Sequence, residues 1–222
     1  MEQVIVIGGT GYIGIPLIQK LIANGFQVTA VARPQSIAKL PAGCVPIAGS
    51  PLDAHTYQDR VPPASTLVHL VGTPHPAPWK AAQFRSVDLV ALEQSVAAAK
   101  HAAVKHLVFV SVAHPAPAMK AYVAIRIQCE RIIQESGLNA TIVRPWYVLG
   151  PGHYWPYILL PIYKALEAIP ATRESAIRLG LVTRSQMVNT LASAVASPTV
   201  ASPTPGIRIL TTPDIRSLGT TP

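Results

Sequence analysis

The feature that most constrains the fold is the stretch from Val4 to Gly14, VIVIGGTGYIG. An apolar β-type run ends in a glycine-rich turn, and apolar residues at helical spacing follow. Glycines spaced three apart suit a tight turn, close approach of a pyrophosphate, and packing of the helix on the strand. The helix start would present N–H groups to the phosphates. This pattern predicts a dinucleotide-binding turn that uses Gly8, Thr10, Gly11, Tyr12, Ile13 and Gly14; an ordinary glycine-rich turn is the alternative.

Strand-like and helix-like segments alternate along the rest of the chain. The chain of 222 residues suits one α/β domain. Alternation at this rhythm predicts βαβ units and a parallel sheet. After the first strand, strands are predicted at 27–33, 44–48, 65–72, 104–111, within 141–152, at 181–183 and at 207–210, with a long helix at 79–103.

The composition indicates a globular protein, because 50% of residues are hydrophobic and 13% are charged. No run reaches the ~20 apolar residues of a membrane-spanning helix, and the N-terminus reads as a strand rather than a signal peptide. Cys44 and Cys129 alone predict reduced thiols and a cytoplasmic location. The net charge of +8 is scattered, so we expect no nucleic-acid partner. We also expect no metal.

Several motifs together resemble short-chain dehydrogenase/reductases over residues 1–152. They are the glycine turn, Tyr122 with Arg126 four residues later, and RPWYVLGPG from Arg144 to Gly152, which is similar to the family's Arg-Pro-x-x-Val-x-Gly-Pro-Gly segment. The atypical NmrA-like and complex I NADPH-subunit-like branch is the most similar. The resemblance implies an α/β fold, a Rossmann-type doubly wound parallel sheet of about seven strands, with a small C-terminal cap. It implies one domain over residues 1–222, with cap elements in 152–205.

The end of the second predicted strand indicates the cofactor. An acidic residue at this point accepts hydrogen bonds from the ribose of NAD, whereas arginine accommodates the 2′-phosphate of NADP. The chain has Arg33 here and no acid nearby, with Lys39 as a further cation. We therefore expect NADP(H), with NAD(H) as the alternative cofactor. A solvent-exposed strand end is the other interpretation of Arg33.

The resemblance implies further cofactor contacts. Ser50 stands where relatives carry an acid that touches the adenine, and we interpret Asp53 as a helix cap. His69 is interpreted as a core histidine, and Asp88 stands where relatives often carry asparagine. The contacts implied by the resemblance are Ser50, Leu52, Val71, Gly72, Thr73, Pro145, Tyr147 and Val148.

The predicted catalytic residues are Tyr122, Arg126 and Ser111. Tyr122 and Arg126 share one helix face, and the family uses Tyr-x-x-x-Lys there to move the substrate proton. Because an ordinary tyrosine has a pKa near 10, a neighbouring cation matters, and Arg126 supplies one. Ala113 stands where the family has a serine or threonine that orients the substrate. Ser111 and His114 are the nearby substitutes.

These features favour an NADPH-dependent oxidoreductase acting on a small apolar carbonyl or quinone-like substrate. A non-catalytic NADPH-binding sensor or assembly subunit is the alternative, and a nucleotide-sugar epimerase or dehydratase is the third. The aromatic stretch 153–163 is a candidate pocket wall, a partner or peripheral membrane contact, or core. The oligomeric state is left open.

Overall fold

A computed structural model describes residues 2–152, 160–197 and 206–219. Its strands are β1 (Gln3–Ile7), β2 (Gln27–Ala32), β3 (Val45–Ala48), β4 (Thr66–His69), β5 (His106–Val110), β6 (Ala140–Val143), β7 (Tyr147–Leu149), β8 (Leu181–Thr183) and β9 (Ile207–Leu210). Its α-helices are α1 (Gly14–Ala23), α2 (Ala81–Gln83), α3 (Val90–His101), α4 (Lys120–Ser136), α5 (Leu160–Ala168), α6 (Pro170–Arg178), α7 (Arg184–Ala196) and α8 (Thr212–Leu218).

Seven parallel strands form the main sheet in the order β3-β2-β1-β4-β5-β6-β9. The chain runs outward from β1 to β3, then returns to the centre and runs outward the other way from β4. The strand order therefore reverses between β1 and β4, where open α/β sheets bind ligands at the carboxyl ends of the strands. The predicted Rossmann-type doubly wound parallel sheet is confirmed.

Apolar side chains fill both faces of this sheet. One face packs mainly against α3 and α4, and the other against α1 and α7. Because both faces are covered, the central strands are apolar at nearly every position, which explains why they read as continuous runs rather than alternating ones. Fully buried examples are Ile5, Ile7, Leu67 and Phe109 on the first face and Val4, Val6, Val68 and Val108 on the second.

The long helix predicted at 79–103 is interrupted. A wider π-helical turn, Phe84–Leu89, lies between α2 and α3. Such turns insert an extra residue into the helical repeat and change which side chains face inward. Here Asp88 becomes fully buried, although the sequence around it reads as an ordinary amphipathic helix.

The C-terminal part adds a second, two-stranded sheet. Strands β7 and β8 pair in parallel beside the main sheet, and α5 packs against α6. The predicted aromatic stretch lies largely outside the described residues, as does the segment 198–205, so the predicted cap stays a prediction. No helix in the described parts of the chain is long and apolar enough to cross a membrane.

Candidate dinucleotide and catalytic site

The glycine turn between β1 and α1 is shaped by close backbone contacts. A Cβ on Gly14 would lie 2.5 Å from the carbonyl oxygen of Gly8, and Gly8 itself has a φ of +92°. Both positions therefore need glycine for packing or conformation. A Cβ on Gly11 would lie 3.3 Å from that same oxygen, and Gly11 is solvent-exposed. Gly11 is thus the point at which a bulky ligand group can approach the turn.

A cavity of about 330 Å³ lies where this turn meets the carboxyl ends of β4 and β5. It brings together many of the residues predicted from the sequence: Gly8, Gly11, Tyr12, Ile13, Gly14, Gly72, Thr73, Ser111, Tyr122, Arg126, Pro145 and Val148. Wall residues that the sequence did not indicate are Leu70, Pro74, Pro76, Val110, Val112 and Trp146. The predicted cofactor turn and the predicted catalytic helix therefore border one space.

The remaining predicted cofactor residues lie away from this cavity. Arg33 is exposed at the end of β2, Leu52 is 42% exposed beyond β3, and the hydroxyl oxygen of Ser50 accepts a hydrogen bond of 3.3 Å from the Leu52 N–H. These three lie past the strands on the β3 side of the sheet, where the adenosine half of a dinucleotide would extend. Thr10 and Val71 are half-buried beside the turn and the core. Tyr147 borders a neighbouring cavity.

Two minor predictions are confirmed near these residues. Asp53 caps the short 3₁₀ turn Ala54–Thr56 by accepting a hydrogen bond of 3.1 Å from the His55 N–H. His69 is a fully buried core residue, with Nδ1 lying 2.8 Å from the Ser95 hydroxyl oxygen. Burial lowers the pKa of His69 to about 3, so its imidazole is neutral at physiological pH.

Asp88 stands where relatives often carry asparagine, but its burial and its contacts were not predicted from the sequence. Its Oδ2 accepts hydrogen bonds from the backbone N–H of Thr73, at 2.9 Å, and from the Thr73 hydroxyl, at 2.6 Å. Its Oδ1 accepts from Nη2 of Arg126 at 2.7 Å. The available signal was a lone acid in a segment, residues 60–92, that contains no other Asp or Glu. A helical reading gave no reason to place it inside.

Arg126 lies beneath Tyr122, as the i, i+4 spacing predicts. Its guanidinium carbon is 5.1 Å from the centre of the half-buried Tyr122 ring, and Nη1 donates to the Val110 carbonyl at 3.2 Å. Burial alone would lower the pKa of Arg126, but the Tyr122 phenol and the Asp88 carboxylate raise it above its ordinary value. The guanidinium is therefore a permanent, buried cation beside the phenol ring. The Phe84 ring packs edge-on against the same phenol ring, with the two ring centres 5.1 Å apart.

Ser111 is also in the cavity wall, but its proton is directed elsewhere. The Ser111 hydroxyl donates to Oε1 of the buried Glu130 at 2.5 Å. The same carboxylate accepts from Nε of Arg144 at 3.0 Å and from Nη2 of Arg144, and His114 Nε2 lies 3.4 Å away. This cluster joins α4 to the strand ends behind the cavity. It gives Ser111 and His114 a hydrogen-bond partner away from the substrate side.

A second, smaller cavity with aromatic residues in its wall, which we call the aromatic annex, adjoins the main cavity. It has a volume of about 180 Å³ and shares Tyr12, Pro76, Trp146 and Val148 with it, and His75 and Tyr147 complete the described wall. The Tyr12 ring packs beneath the Arg184 guanidinium at 5.1 Å, and its hydroxyl lies close to Gly150. Rings and a proline in this arrangement suit a flat, apolar group.

The residues present fit a nicotinamide dinucleotide. The turn leaves Gly11 open to a pyrophosphate, and the cavity continues from that turn to Tyr122. Nε of Arg126, in the cavity wall, is buried and has no hydrogen-bond partner among the described residues. Within those same residues no group of three or more His, Cys, Asp and Glu side chains is arranged to hold a metal ion. Cys44 and Cys129 are free thiols.

Comparison with known proteins shows the family to which the chain is similar. The model of a family described as NAD(P)H-binding matches residues 8–153. A curated protein of Stigmatella aurantiaca, 4-hydroxy-2-methyl-3-oxo-4-farnesyl-3,4-dihydroquinoline-1-oxide ketoreductase, is 28% identical in an alignment 167 residues long. The alignment covers 65% of this chain and 50% of the relative. The chain therefore spans about half the length of that relative.

Solved structures share the fold at low sequence identity. UDP-N-acetylglucosamine 4-epimerase from Bacillus cereus superposes with a TM-score of 0.69 at 14% identity, over 95% of this chain and 79% of the other. A short-chain dehydrogenase/reductase superfamily protein from Agrobacterium tumefaciens with bound NAD superposes with a TM-score of 0.67 at 16% identity. The match covers 95% of this chain and 77% of the other. WbmH of Bordetella bronchiseptica in complex with NAD⁺ superposes with a TM-score of 0.66 at 17% identity. The match covers 94% of this chain and 85% of the other. These likenesses show the shared fold, and the family match over residues 8–153 confirms the predicted NAD(P)-binding protein; the NmrA-like branch stays a prediction.

Proposed function

The chain belongs to the NAD(P)H-binding family, and from that premise we propose that it is an NADPH-dependent oxidoreductase that reduces a small apolar carbonyl or quinone-like compound. The observation that carries the proposal is the position of Tyr122. Its side chain borders the same cavity as the glycine turn and lies against the cation of Arg126. A proton donor and a cofactor site that share one space are what a carbonyl reduction requires.

The choice of NADP(H) rests on charge at the adenosine end. Arg33 is exposed at the end of β2, and the chain has no Asp or Glu between Glu2 and Asp53. No acid from this segment is therefore available to accept a hydrogen bond from the 2′-hydroxyl of NAD, whereas Arg33 can hold a 2′-phosphate. Lys39, also exposed, adds to the positive field.

The chain's own residues would act in three ways. The N–H groups at Gly11–Gly14 would hold the pyrophosphate, and the Thr73 loop would border the ribose and nicotinamide. The bound cofactor supplies the hydride that converts the substrate carbonyl carbon to C–H. Tyr122 gives its phenolic proton to the substrate oxygen, and Arg126 stabilises the phenolate that remains before a solvent proton restores it.

The described wall of the annex supports the proposed substrate class. Trp146, Tyr147 and Pro76 present rings and apolar surface next to the Tyr122 cavity. The ketoreductase name of the Stigmatella relative supports carbonyl reduction as the reaction type. An epimerase reaction has only fold likeness in its favour.

A non-catalytic NADPH sensor is the second candidate, and a specific observation favours it. Ala113 has no hydroxyl to orient a carbonyl, while the Ser111 and Thr73 hydroxyls donate to Glu130 and Asp88. In this alternative Tyr122 and Arg126 would serve only to pack the cofactor.

Turnover distinguishes the two candidates. Purified protein should oxidise NADPH in the presence of at least one member of a panel of aldehydes, ketones and quinones. Tight NADPH binding with no oxidation above background across that panel would favour the sensor. Absence of NADPH and NADH binding would contradict both.

A further inference from the structure

We propose that Asp88 is a positioning residue of the Tyr122 site, which balances the buried charge of Arg126 and so sets the pH range in which Tyr122 works. The inference rests on the proposed function, because it concerns the proton that Tyr122 gives to the substrate. Asp88 acts through Arg126, since no contact between its carboxylate and the phenol is observed and it is not part of the described cavity wall.

The geometry makes Asp88 and Arg126 one unit. The Asp88 carboxylate is fully buried, and all three hydrogen bonds that it accepts come from Thr73 and Arg126. Arg126 is 5% exposed and is closed in from the other side by Gly72, where a Cβ would lie 2.4 Å from Nη2. Both partners therefore contact the loop Gly72–Thr73, which borders the cavity.

Two buried titratable groups beside the pair, one on α4 and one on β4, carry no charge at neutral pH, whereas the Glu130 carboxylate further along α4 is paired with Arg144. Burial raises the pKa of the Cys129 thiol on α4 to about 12 and lowers the pKa of His69 on β4 to about 3. Lys120 and Arg85 are exposed and Lys80 donates to the Pro74 carbonyl, so water screens their charges. Among the described residues that touch Arg126, Asp88 therefore supplies the compensating charge.

The consequence is electrostatic. An uncompensated guanidinium beside a phenol strongly favours the phenolate, whereas a guanidinium paired with a carboxylate favours it much less. The Asp88 carboxylate offsets the charge that Arg126 presents to Tyr122, while Arg126 remains close enough to stabilise the phenolate that forms. An amide at residue 88 would retain an acceptor for Thr73 but lose the charge.

A double-mutant cycle that removes the two charges separately and together tests this role. The variants are Asp88→Asn, which leaves the cation alone, Arg126→Gln, which leaves the anion alone, and the Asp88→Asn/Arg126→Gln double variant, which is neutral. The measurement is the pH at which NADPH-dependent turnover has fallen to half its maximum on the alkaline side. We expect it about one pH unit lower in Asp88→Asn, about one unit higher in Arg126→Gln, and close to the unmodified value in the double variant.

A purely structural Asp88 gives a different result. It would lower the stability of Asp88→Asn and leave the half-maximal pH unchanged in every variant that folds, which would overturn the proposal. A shift of Asp88→Asn in the alkaline direction would also overturn it. A buried charge without its partner destabilises a fold. If one single variant does not fold, the other single variant still tests the direction of the shift, and the double variant tests whether removing both charges restores the unmodified half-maximal pH.

The same cycle has a readout that does not need turnover. Tyrosinate absorbance of each variant, minus that of the same variant carrying Tyr122→Phe, reports the ionisation of Tyr122 directly. If no substrate is ever turned over, the proposed function fails. The charge balance is still supported if the pH of half-ionisation of Tyr122 is lowest in Asp88→Asn, intermediate in the unmodified protein and highest in Arg126→Gln. Equal midpoints would overturn the charge balance whether or not the protein is an enzyme.

Discussion

Gly72 and Arg126 approach each other so closely that a Cβ on residue 72 would lie 2.4 Å from the guanidinium Nη2. A side chain at residue 72 would therefore require the Arg126 guanidinium to move. The contact fixes the Arg126 guanidinium between Asp88 and the Tyr122 ring. The loop Gly72–Thr73 lines the same cavity as Tyr122 and the glycine turn, so it lies near both the predicted catalytic residues and the predicted cofactor turn.

We expect Gly72→Ala to displace Arg126 from Asp88. Breaking a buried ion pair typically costs about 3–5 kcal/mol, so the free energy of unfolding should fall by about 3 kcal/mol in a denaturant titration. In the Arg126→Gln background the shorter side chain leaves room for a methyl group, and Gly72→Ala should cost much less. Equal costs in the two backgrounds would show that the contact does not limit residue 72.

Gly11→Val should abolish NADPH binding and leave the fold intact. A Cβ at this position lies 3.3 Å from its nearest neighbour in the exposed turn, so the isopropyl group would fill the approach of the pyrophosphate without disturbing the core. The matched control is Gly14→Ala, whose Cβ would lie 2.5 Å from the Gly8 carbonyl oxygen and should lower stability instead. Normal NADPH binding by folded Gly11→Val would place the cofactor elsewhere.

Arg33 should make NADPH bind more tightly than NADH. A charge-assisted contact is worth ~1.5–3 kcal/mol, or roughly 10- to 150-fold in affinity. Arg33→Asp should erase or reverse the preference, whereas Lys39→Asp, which changes charge by the same amount on the neighbouring turn, should weaken it only partly. Equal Kd values for the two cofactors in the unmodified protein would refute the assignment of Arg33.

Two buried histidines should make the protein less stable in acid. Burial lowers the pKa of His69 to about 3 and that of His106 to about 4, from ordinary values near 6.5. Below pH 6.5 the unfolded chain takes up protons that the folded protein does not, so stability falls as pH falls, by up to about 1.4 kcal/mol per pH unit for each histidine.

His106→Gln should remove its share of that slope between about pH 6 and pH 4.5, measured as the free energy of unfolding against pH. Glutamine can retain a hydrogen bond to Thr141, which lies 3.0 Å from His106 Nε2. His55→Gln, at an exposed position, is the surface control. A slope that is identical in His106→Gln and the unmodified protein would rule out this contribution.

The sequence was sufficient to predict the sheet, and many of the predicted site residues border one cavity at its carboxyl edge. Apolar runs indicated the strands because both faces of the sheet are covered. Glycine spacing indicated the turn because the backbone at Gly8 and Gly14 lies too close to its neighbours for a side chain. Tyr122 and Arg126 could be paired because helical spacing is regular within α4. These predictions depend on local patterns that the backbone turns directly into geometry.

The polar network behind the site could not be predicted in the same way. Asp88 faces inward because a π-helical turn shifts the helical repeat. No residue type in Phe84–Leu89 predicts such a turn. Glu130 meets Ser111 and Arg144 only after α4 has packed beside β5 and β6. Such contacts depend on tertiary packing, which single-residue patterns do not encode.

Turnover by Tyr122→Phe tests the central claim most directly. The phenol oxygen is the proton donor in the proposed reaction, so the variant should bind NADPH with nearly unchanged Kd while kcat falls by ~10²–10⁴, the usual contribution of general acid catalysis. Phenylalanine keeps the ring contacts with Phe84 and Arg126, which separates the proton from the packing. A variant that turns over substrate at the unmodified rate would contradict the mechanism.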